Sequence, residues 1–457
     1  MLNAIKKIFQ PAKSPIPINA HATALKVAIK PQMSIVSKTV AATPAKEEET
    51  IFRHAKLIMV TMANNNKFYE MKENADDTFT AYYGRVGSSS STANYPMSKW
   101  NTKLNEKKRK GYIDQTHLFT EAKETADFAD ISDADVSRLI NELMSYSRES
   151  IARNYNVMAG QVTRKQLAEA QAVLDKLAGM VRLKRMQVKK FNEELMRLYS
   201  VIPRSMTKVQ DHIIERPSSQ DDIQVIEKKL AEEQATLDVM RGEVEALEQQ
   251  KDPQQAGQAQ TLTEALGIRV EPLTESTLID SIKKMMGKDS GKFHRAFKVV
   301  NGRTQEEFDC FVEKSDNKCT ELFWHGSRNE NWLSIMKTGL VLRPANAIIS
   351  GKMFGYGLYF ADKFRKSLNY TSMRGSFWAG GTQNKGYLAL YDVHLGNPLK
   401  IQKHAGWCSQ LTEEKLKKKG KDYDSVFAKG GADLINNEYI VYNQAQCTVR
   451  YLVEVHA

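Results

Sequence analysis

Residues 351–362 read GKMFGYGLYFAD, a glycine-punctuated turn leading into a short aromatic and apolar run. Three further stretches stand around it: residues 322–328 (LFWHGSR), 366–370 (KSLNY) and 437–442 (NEYIVY). Each alone has a plain structural explanation. His325 before a glycine fits a satisfied core histidine, the GxGxxF pattern fits a turn, and Glu438 among aromatics fits a strand residue facing water. Together they place a His, two Tyr, a Ser and a Glu at strand ends, which makes a polar pocket floored by aromatic faces. The flanking segments support that placement. Residues 387–395 (YLALYDVHL), 439–442 and 451–455 alternate as strands between glycine-rich turns, so this final part of the chain reads as α+β with loops on one rim.

Upstream the period changes to helical. Ser132 with Asp135 predicts a capping box ahead of Val136, Leu139, Ile140, Leu143 and Met144, and Thr163 with Gln166 repeats the signal ahead of Leu167, Ala170, Leu174 and Leu177. A third helix carries Phe191, Leu195, Leu198 and Tyr199 and stops before Pro203. A fourth carries Ile223, Ile226, Leu230, Leu237, Met240, Val244 and Leu247 in a near-heptad seam. Next to three shorter helices, this long one is expected in a bundle rather than a coiled coil. Residues 251–262 form a polar linker. Further upstream, residues 55–62, 67–72 and 78–86 read as strands separated by Asn-rich and Asp-rich turns, followed by a basic helix over 97–110 that Gly111 closes. Lys99, Lys103, Lys107, Lys108, Arg109 and Lys110 oppose only Glu106 there, beside Trp100 and Tyr112. A solvated face is the ordinary reading of such a run, and a phosphate-binding surface is the functional one. Residues 1–46 hold five of the twelve prolines and no acid, as a mobile basic tail would.

Composition bounds the whole. The 457 residues carry 66 Lys and Arg against 54 Asp and Glu, a formal charge of +12, and 41% are apolar. That excludes a wholly disordered chain and fits a polyanionic partner. No run approaches the roughly 20 apolar residues of a membrane span. The four cysteines form no CxxC pair and the nine histidines are scattered, so no metal site is expected.

The four site-bearing stretches are similar, in order and spacing, to the catalytic domain of poly(ADP-ribose) polymerases. The resemblance extends upstream: YGRVG at 83–87 with the basic helix resembles the WGR domain of that family, with Tyr83 in place of the usual tryptophan, and the helical block resembles its autoinhibitory domain. The implied fold is multidomain α+β. A basic disordered tail spans 1–50, a WGR-like DNA-binding sheet-plus-helix domain 51–130, an all-α regulatory bundle 131–260 and an α+β ADP-ribosyltransferase domain 261–457.

The resemblance also implies roles. NAD+ is the substrate, and its nicotinamide–ribose bond breaks through an oxocarbenium-like state. Gly326 and Ser367 would hold the nicotinamide carboxamide, with Tyr370 and Tyr359 on either side of the ring. His325 would bind the adenine-ribose hydroxyl, and Ser327 the adenosine end. Glu438 would bind the nicotinamide-ribose 2′-hydroxyl and act as general base on the acceptor. Met353 and Lys366 flank the acceptor side, and Arg343 stands in for an arginine that the family places where this chain has Val341. Ser334 replaces a glycine near the adenine, and Asn436 an aromatic before the Asn–Glu pair. The triad His325, Tyr359 and Glu438 implies chain elongation over mono-transfer, and its completeness argues against a non-catalytic nucleic-acid-binding scaffold. Arg85, Trp100, Lys103 and Lys107 are the expected DNA contacts. Partners would then be DNA with breaks or ends and acceptor proteins including the enzyme itself, in the nucleus, with a mitochondrial or non-eukaryotic setting the alternatives.

Overall fold

The computed structural model describes residues 53–118, 129–181, 186–217, 219–249, 261–342, 353–373, 375–376, 379–380, 383–420 and 422–457. The tail, most of the polar linker and Arg343 lie outside them. Among the described residues no helix is long and apolar enough to cross a membrane.

The first sheet contains β1 (His54–Thr61), β2 (Asn65–Glu73), β3 (Thr78–Arg85), β4 (Ser91–Pro96) and β5 (Ile113–Asp114), antiparallel in the order β4-β3-β2-β1-β5. β4 and β5 carry too few apolar residues to have been legible. Asn64 and Asp77 turn the chain at φ 63° and 56°, a left-handed conformation that short polar side chains tolerate. Helix α1 (Trp100–Arg109) follows a 3₁₀ turn at Met97–Lys99, and Gly111 at φ 89° ends it. Its anchor is Trp100, 6% exposed, packed edge-on to Phe79 in a core with Leu57, Tyr69 and Met71.

Four helices follow: α2 (Ala134–Asn154), α3 (Arg164–Val181), α4 (Val188–Val201) and α5 (Gln220–Gln249). Thr163 and Gln166 cap α3 reciprocally, each side chain bonding the other's backbone N–H. At α2 the cap is one residue later than the Ser132 pattern predicts. The Asp133 carboxylate accepts from the N–H groups of Asp135 and Val136, and a carboxylate at that end also suits the helix dipole. The seam of α5 is buried at Ile226, Leu230, Leu237, Met240 and Val244 against Leu174, Leu177, Phe191, Leu195 and Tyr199, a bundle core rather than a two-helix zipper. Within it Arg204 and Glu233 form a buried ion pair at 3.0 Å, with the guanidinium 4.8 Å over the Tyr155 ring.

The C-terminal part has two sheets. One runs β6 (Ile268–Pro272), β7 (Phe293–Asn301), β16 (Cys447–His456), β12 (Lys385–His394) and β8 (Thr320–Gly326); the other runs β13 (Pro398–Ile401), β14 (Ser425–Ala428), β15 (Glu438–Val441) and β9 (Leu358–Phe360). A two-residue pair, β10 (Gly375–Ser376) with β11 (Ala379–Gly380), lies apart. Helices α6 (Leu262–Ala265), α7 (Ser276–Met286), α8 (Gly302–Lys314), α9 (Trp332–Thr338), α10 (Phe364–Leu368) and α11 (Glu413–Lys417) complete the chain. β12 is covered on both faces, so its alternating sequence belongs to a central strand. The two sheets are stitched where β8 meets the end of β9: Trp324 and Ala361 exchange N–H···O bonds of 2.9 and 3.0 Å.

Candidate active site

That stitch positions the first two site residues. β8 ends in His325 and Gly326, and β9 carries Tyr359. His325 Nδ1 lies 3.0 Å from the Tyr359 carbonyl, and because a carbonyl only accepts, Nδ1 holds the proton and Nε2 stays an acceptor. Burial holds the imidazole below the ordinary histidine range despite that bond. Tyr359 is fixed in turn, its hydroxyl donating to the Gly355 carbonyl at 2.8 Å and accepting from Phe354 N–H at 3.1 Å. The glycines around these residues are demanded by contact. A Cβ on Gly326 would stand 1.9 Å from the Ser367 carbonyl oxygen, and one on Gly357 would meet Ile440 at 2.3 Å.

Helix α10 brings Lys366 and the buried Ser367 to the same place, with Tyr370, 50% exposed, just beyond its end. Burial, with help from the Glu438 charge, raises the Tyr370 phenol above its ordinary range. Glu438 opens β15, which pairs with β9, and is 8% exposed. Its Oε1 takes the Lys366 ammonium. Among the described residues its Oε2 is buried with no hydrogen-bond partner. Such an oxygen is costly unless something satisfies it, and the neighbouring space is a cleft of ≈ 380 Å³ lined by His325, Gly326, Ser327, Tyr359, Lys366, Ser367, Tyr370 and Glu438. The arrangement offers a carboxylate oxygen, an imidazole acceptor and aromatic faces to one elongated ligand. It suits stabilising positive charge beside Glu438 and moving a proton to it.

Not every expected residue reaches the cleft. Met353 packs into a small core with Cys408, Leu411 and Leu416 instead. Arg343 lies outside the described residues, whereas Val341, 43% exposed, lines the cleft mouth. Among the lining residues that escaped the sequence reading are Asn331, whose side-chain N–H₂ donates to Ser327 Oγ at 3.0 Å, and Asp238 and Arg241 of α5. Asn331 stands six positions after His325 in a 3₁₀ turn, a signal that could have been used. The α5 pair has no local signature at all.

The helical block grips this half at several places, two of them polar or close-packed. At the cleft, Gly242 of α5 faces Ser334 of α9 so closely that a Cβ on Gly242 would sit 2.5 Å from that of Ser334. Away from it, Glu454 is a buried hub. Its Oε2 accepts from Arg295 at 2.6 Å and its Oε1 lies 3.2 Å from Lys385; Arg295 reaches Asp135 and Lys385 reaches Glu142, both on α2. His456 also contacts Glu454 Oε1, and its ring stacks on His294 at 4.1 Å and 14°.

The expected DNA contacts are placed differently. Trp100 is core. Arg85 bonds the Asn64 carbonyl and side chain and the carbonyls of Met206 and Thr207, bridging the first sheet to the helical block. Lys107 sits 4.1 Å over Tyr69, with Tyr112 and Tyr83 at 5.7 and 5.9 Å, and burial lowers its pKa. Lys103 lies over Tyr95 and 3.5 Å from Glu106.

Residues 276–457 match the poly(ADP-ribose) polymerase catalytic domain. A putative poly [ADP-ribose] polymerase-like protein, 100L, of Invertebrate iridescent virus 6 is 32% identical over 184 residues, 39% of this chain and 91% of that protein. The chain belongs to the poly(ADP-ribose) polymerase family. It is an NAD+ ADP-ribosyltransferase, with NAD+ as substrate rather than bound cofactor. Poly [ADP-ribose] polymerase 2-B of Oryza sativa subsp. japonica is 25% identical over 444 residues, 86% of this chain and 70% of the rice protein, so the likeness runs far upstream of the catalytic domain. Poly [ADP-ribose] polymerase 2 of Homo sapiens is 33% identical over 182 residues, 33% of this chain and 28% of the human protein.

Proposed function

We propose that this transferase builds poly(ADP-ribose) on acceptor proteins, itself included, when its N-terminal part engages a DNA break. The observation that carries the chemistry is the buried Oε2 of Glu438 beside the cleft, unpartnered among the described residues. In this reading NAD+ lies extended, its carboxamide gripped by the Gly326 backbone and the Ser367 hydroxyl, its ring between Tyr370 and Tyr359. His325 Nε2 accepts from the adenine ribose, and Ser327, held by Asn331, serves the adenosine end with Arg343. The free Glu438 oxygen takes the nicotinamide-ribose 2′-hydroxyl. As the glycosidic bond breaks, its electron pair leaves with nicotinamide and the carboxylate stabilises the cationic sugar. The same carboxylate then removes the proton of the attacking acceptor hydroxyl, and a ribose hydroxyl of an attached unit can be that acceptor. Lys366 is assigned to the acceptor side, with Met353 flanking it from the core it shares with Cys408, Leu411 and Leu416.

Regulation follows from the segments. Residues 51–130 are read as the WGR-like DNA module, 131–260 as the autoinhibitory block and 261–457 as the catalytic domain, with 1–50 a basic tail. α5 lines the cleft with Asp238 and Arg241 and abuts α9 through Gly242, so a DNA end that draws the first sheet from the block would loosen this wall. Arg85 would exchange the Met206 and Thr207 carbonyls for phosphate, alongside Lys103 and Lys107. A nuclear location accords with such a partner. The test is labelled NAD+ with and without nicked DNA. A DNA-dependent ladder of products supports the reading; a single adduct means mono-transfer, and no label means a non-catalytic scaffold.

A further inference from the structure

One strongly basic corner of the catalytic half lies outside the cleft. Trp407, 39% exposed, has the Lys419 ammonium 3.8 Å over its ring. Lys415 and Lys418, both exposed, flank it from α11 and its end. Among the described residues no carboxylate lies within ion-pair distance of Lys415, Lys418 or Lys419; Glu413 is taken by Lys417 at 3.1 Å, leaving Glu414 as the nearest uncommitted acid in sequence. The corner is tied to the acceptor-side loop. Tyr356 N–H donates to the Leu411 carbonyl at 2.9 Å, and Met353 and Phe354 share a core with Cys408, Leu411 and Leu416.

We propose that Trp407, Lys415, Lys418 and Lys419 form an exit surface for the growing ADP-ribose chain. This inference rests on the polymerising reading above. Each unit of that chain presents an adenine face and a pyrophosphate: the pyrophosphate matches the ammonium groups of Lys415 and Lys418, and the adenine stacks on the exposed indole as Lys419 moves from the ring to the phosphate. Holding the attached chain near the cleft raises the effective concentration of its end for the next transfer, so the surface governs elongation and leaves initiation alone.

The test compares the full chain with Trp407→Ala, Trp407→Phe and the triple Lys415→Ala/Lys418→Ala/Lys419→Ala. Initial nicotinamide release, product length and anisotropy binding of purified ADP-ribose oligomers against single-stranded DNA of equal charge are the readouts. Expected are initiation rates within about twofold of wild type, markedly shorter chains, and oligomer affinity lower by on the order of tenfold in Trp407→Ala and the triple variant, as loss of one stacked base implies. Trp407→Phe restores most of the length. Unchanged chain length, or a loss of DNA affinity with none for the oligomer, overturns the proposal. If the wild type makes single adducts only, the polymerase reading falls, and the oligomer-binding arm alone decides whether the surface exists.

Discussion

The donor cleft and the tyrosine-lined face of the first sheet are made of the same materials, aromatic rings and charged side chains, yet they are in opposite states. In the cleft the Oε2 of Glu438 is buried and, among the described residues, unpaired. On the first sheet Arg85 is spent on four acceptors and Lys107 on three tyrosine rings. A group without a partner is poised for a ligand, whereas a group already satisfied must be released first. Substitutions at paired places should therefore cost stability, and substitutions around the unpaired one should cost activity.

The largest effect is expected at the buried pair inside the helical bundle. Glu233→Ala leaves the Arg204 guanidinium buried without its carboxylate and should lower unfolding free energy by about 3–5 kcal/mol in urea melts. A loss below 1 kcal/mol would show the pair to be dispensable. Next, Gly326→Ala forces β8 from α10 and should cut nicotinamide release about a hundredfold, the scale of an ångström's misplacement, with far-ultraviolet dichroism retained. Near-normal turnover would mean the cleft yields more easily than the 1.9 Å approach implies.

Gly242→Leu should act in the opposite sense. The side chain cannot fit against Ser334, so basal activity without DNA should rise by about tenfold, a shift of about 1.4 kcal/mol between closed and open block. Unchanged basal activity would remove α5 from regulation. Arg85→Ala, which gives up the bonds to Met206 and Thr207, should cost about 1–3 kcal/mol and ease opening. The smallest effect is with pH. His325 resists protonation when folded, so stability falls as pH drops below the ordinary histidine value of about 6.5, where the unfolded chain takes the proton. Glu70 opposes its own burial through His54, Lys56 and Lys72 and is lowered to about 2, so its contribution is lost as pH falls from the usual carboxylate range toward that value. Melting temperature against pH should decline on acidification in both windows, and a rise would reverse the sign assigned to these groups.

The same contrast explains what could be read from sequence. The four site-bearing stretches were legible because each is local: His325 beside Gly326, or Tyr359 behind Gly355 and Gly357, fits only in that backbone setting. The capping pair Thr163 and Gln166 was legible for the same reason, and Asp133 was missed because Ser132 offered a rival cap one residue earlier. The cleft's third wall was illegible, since Asp238, Arg241 and Gly242 owe their role to packing across distant segments. Trp100 looked like a DNA contact because composition cannot say which way a side chain points. Its spacing from Leu104, four residues on and packed against the same core, marks the buried face of α1.

The central claim is that the free Glu438 oxygen is held for substrate hydroxyls, and Glu438→Gln tests it most directly, because the amide keeps the shape and removes the charge and the base. Transfer of labelled ADP-ribose should be read with nicked DNA present, alongside binding of a nicotinamide-type ligand. The account predicts ligand affinity close to wild type and chain growth reduced at least about a hundredfold. Full-length chains made by the variant at the wild-type rate would contradict it.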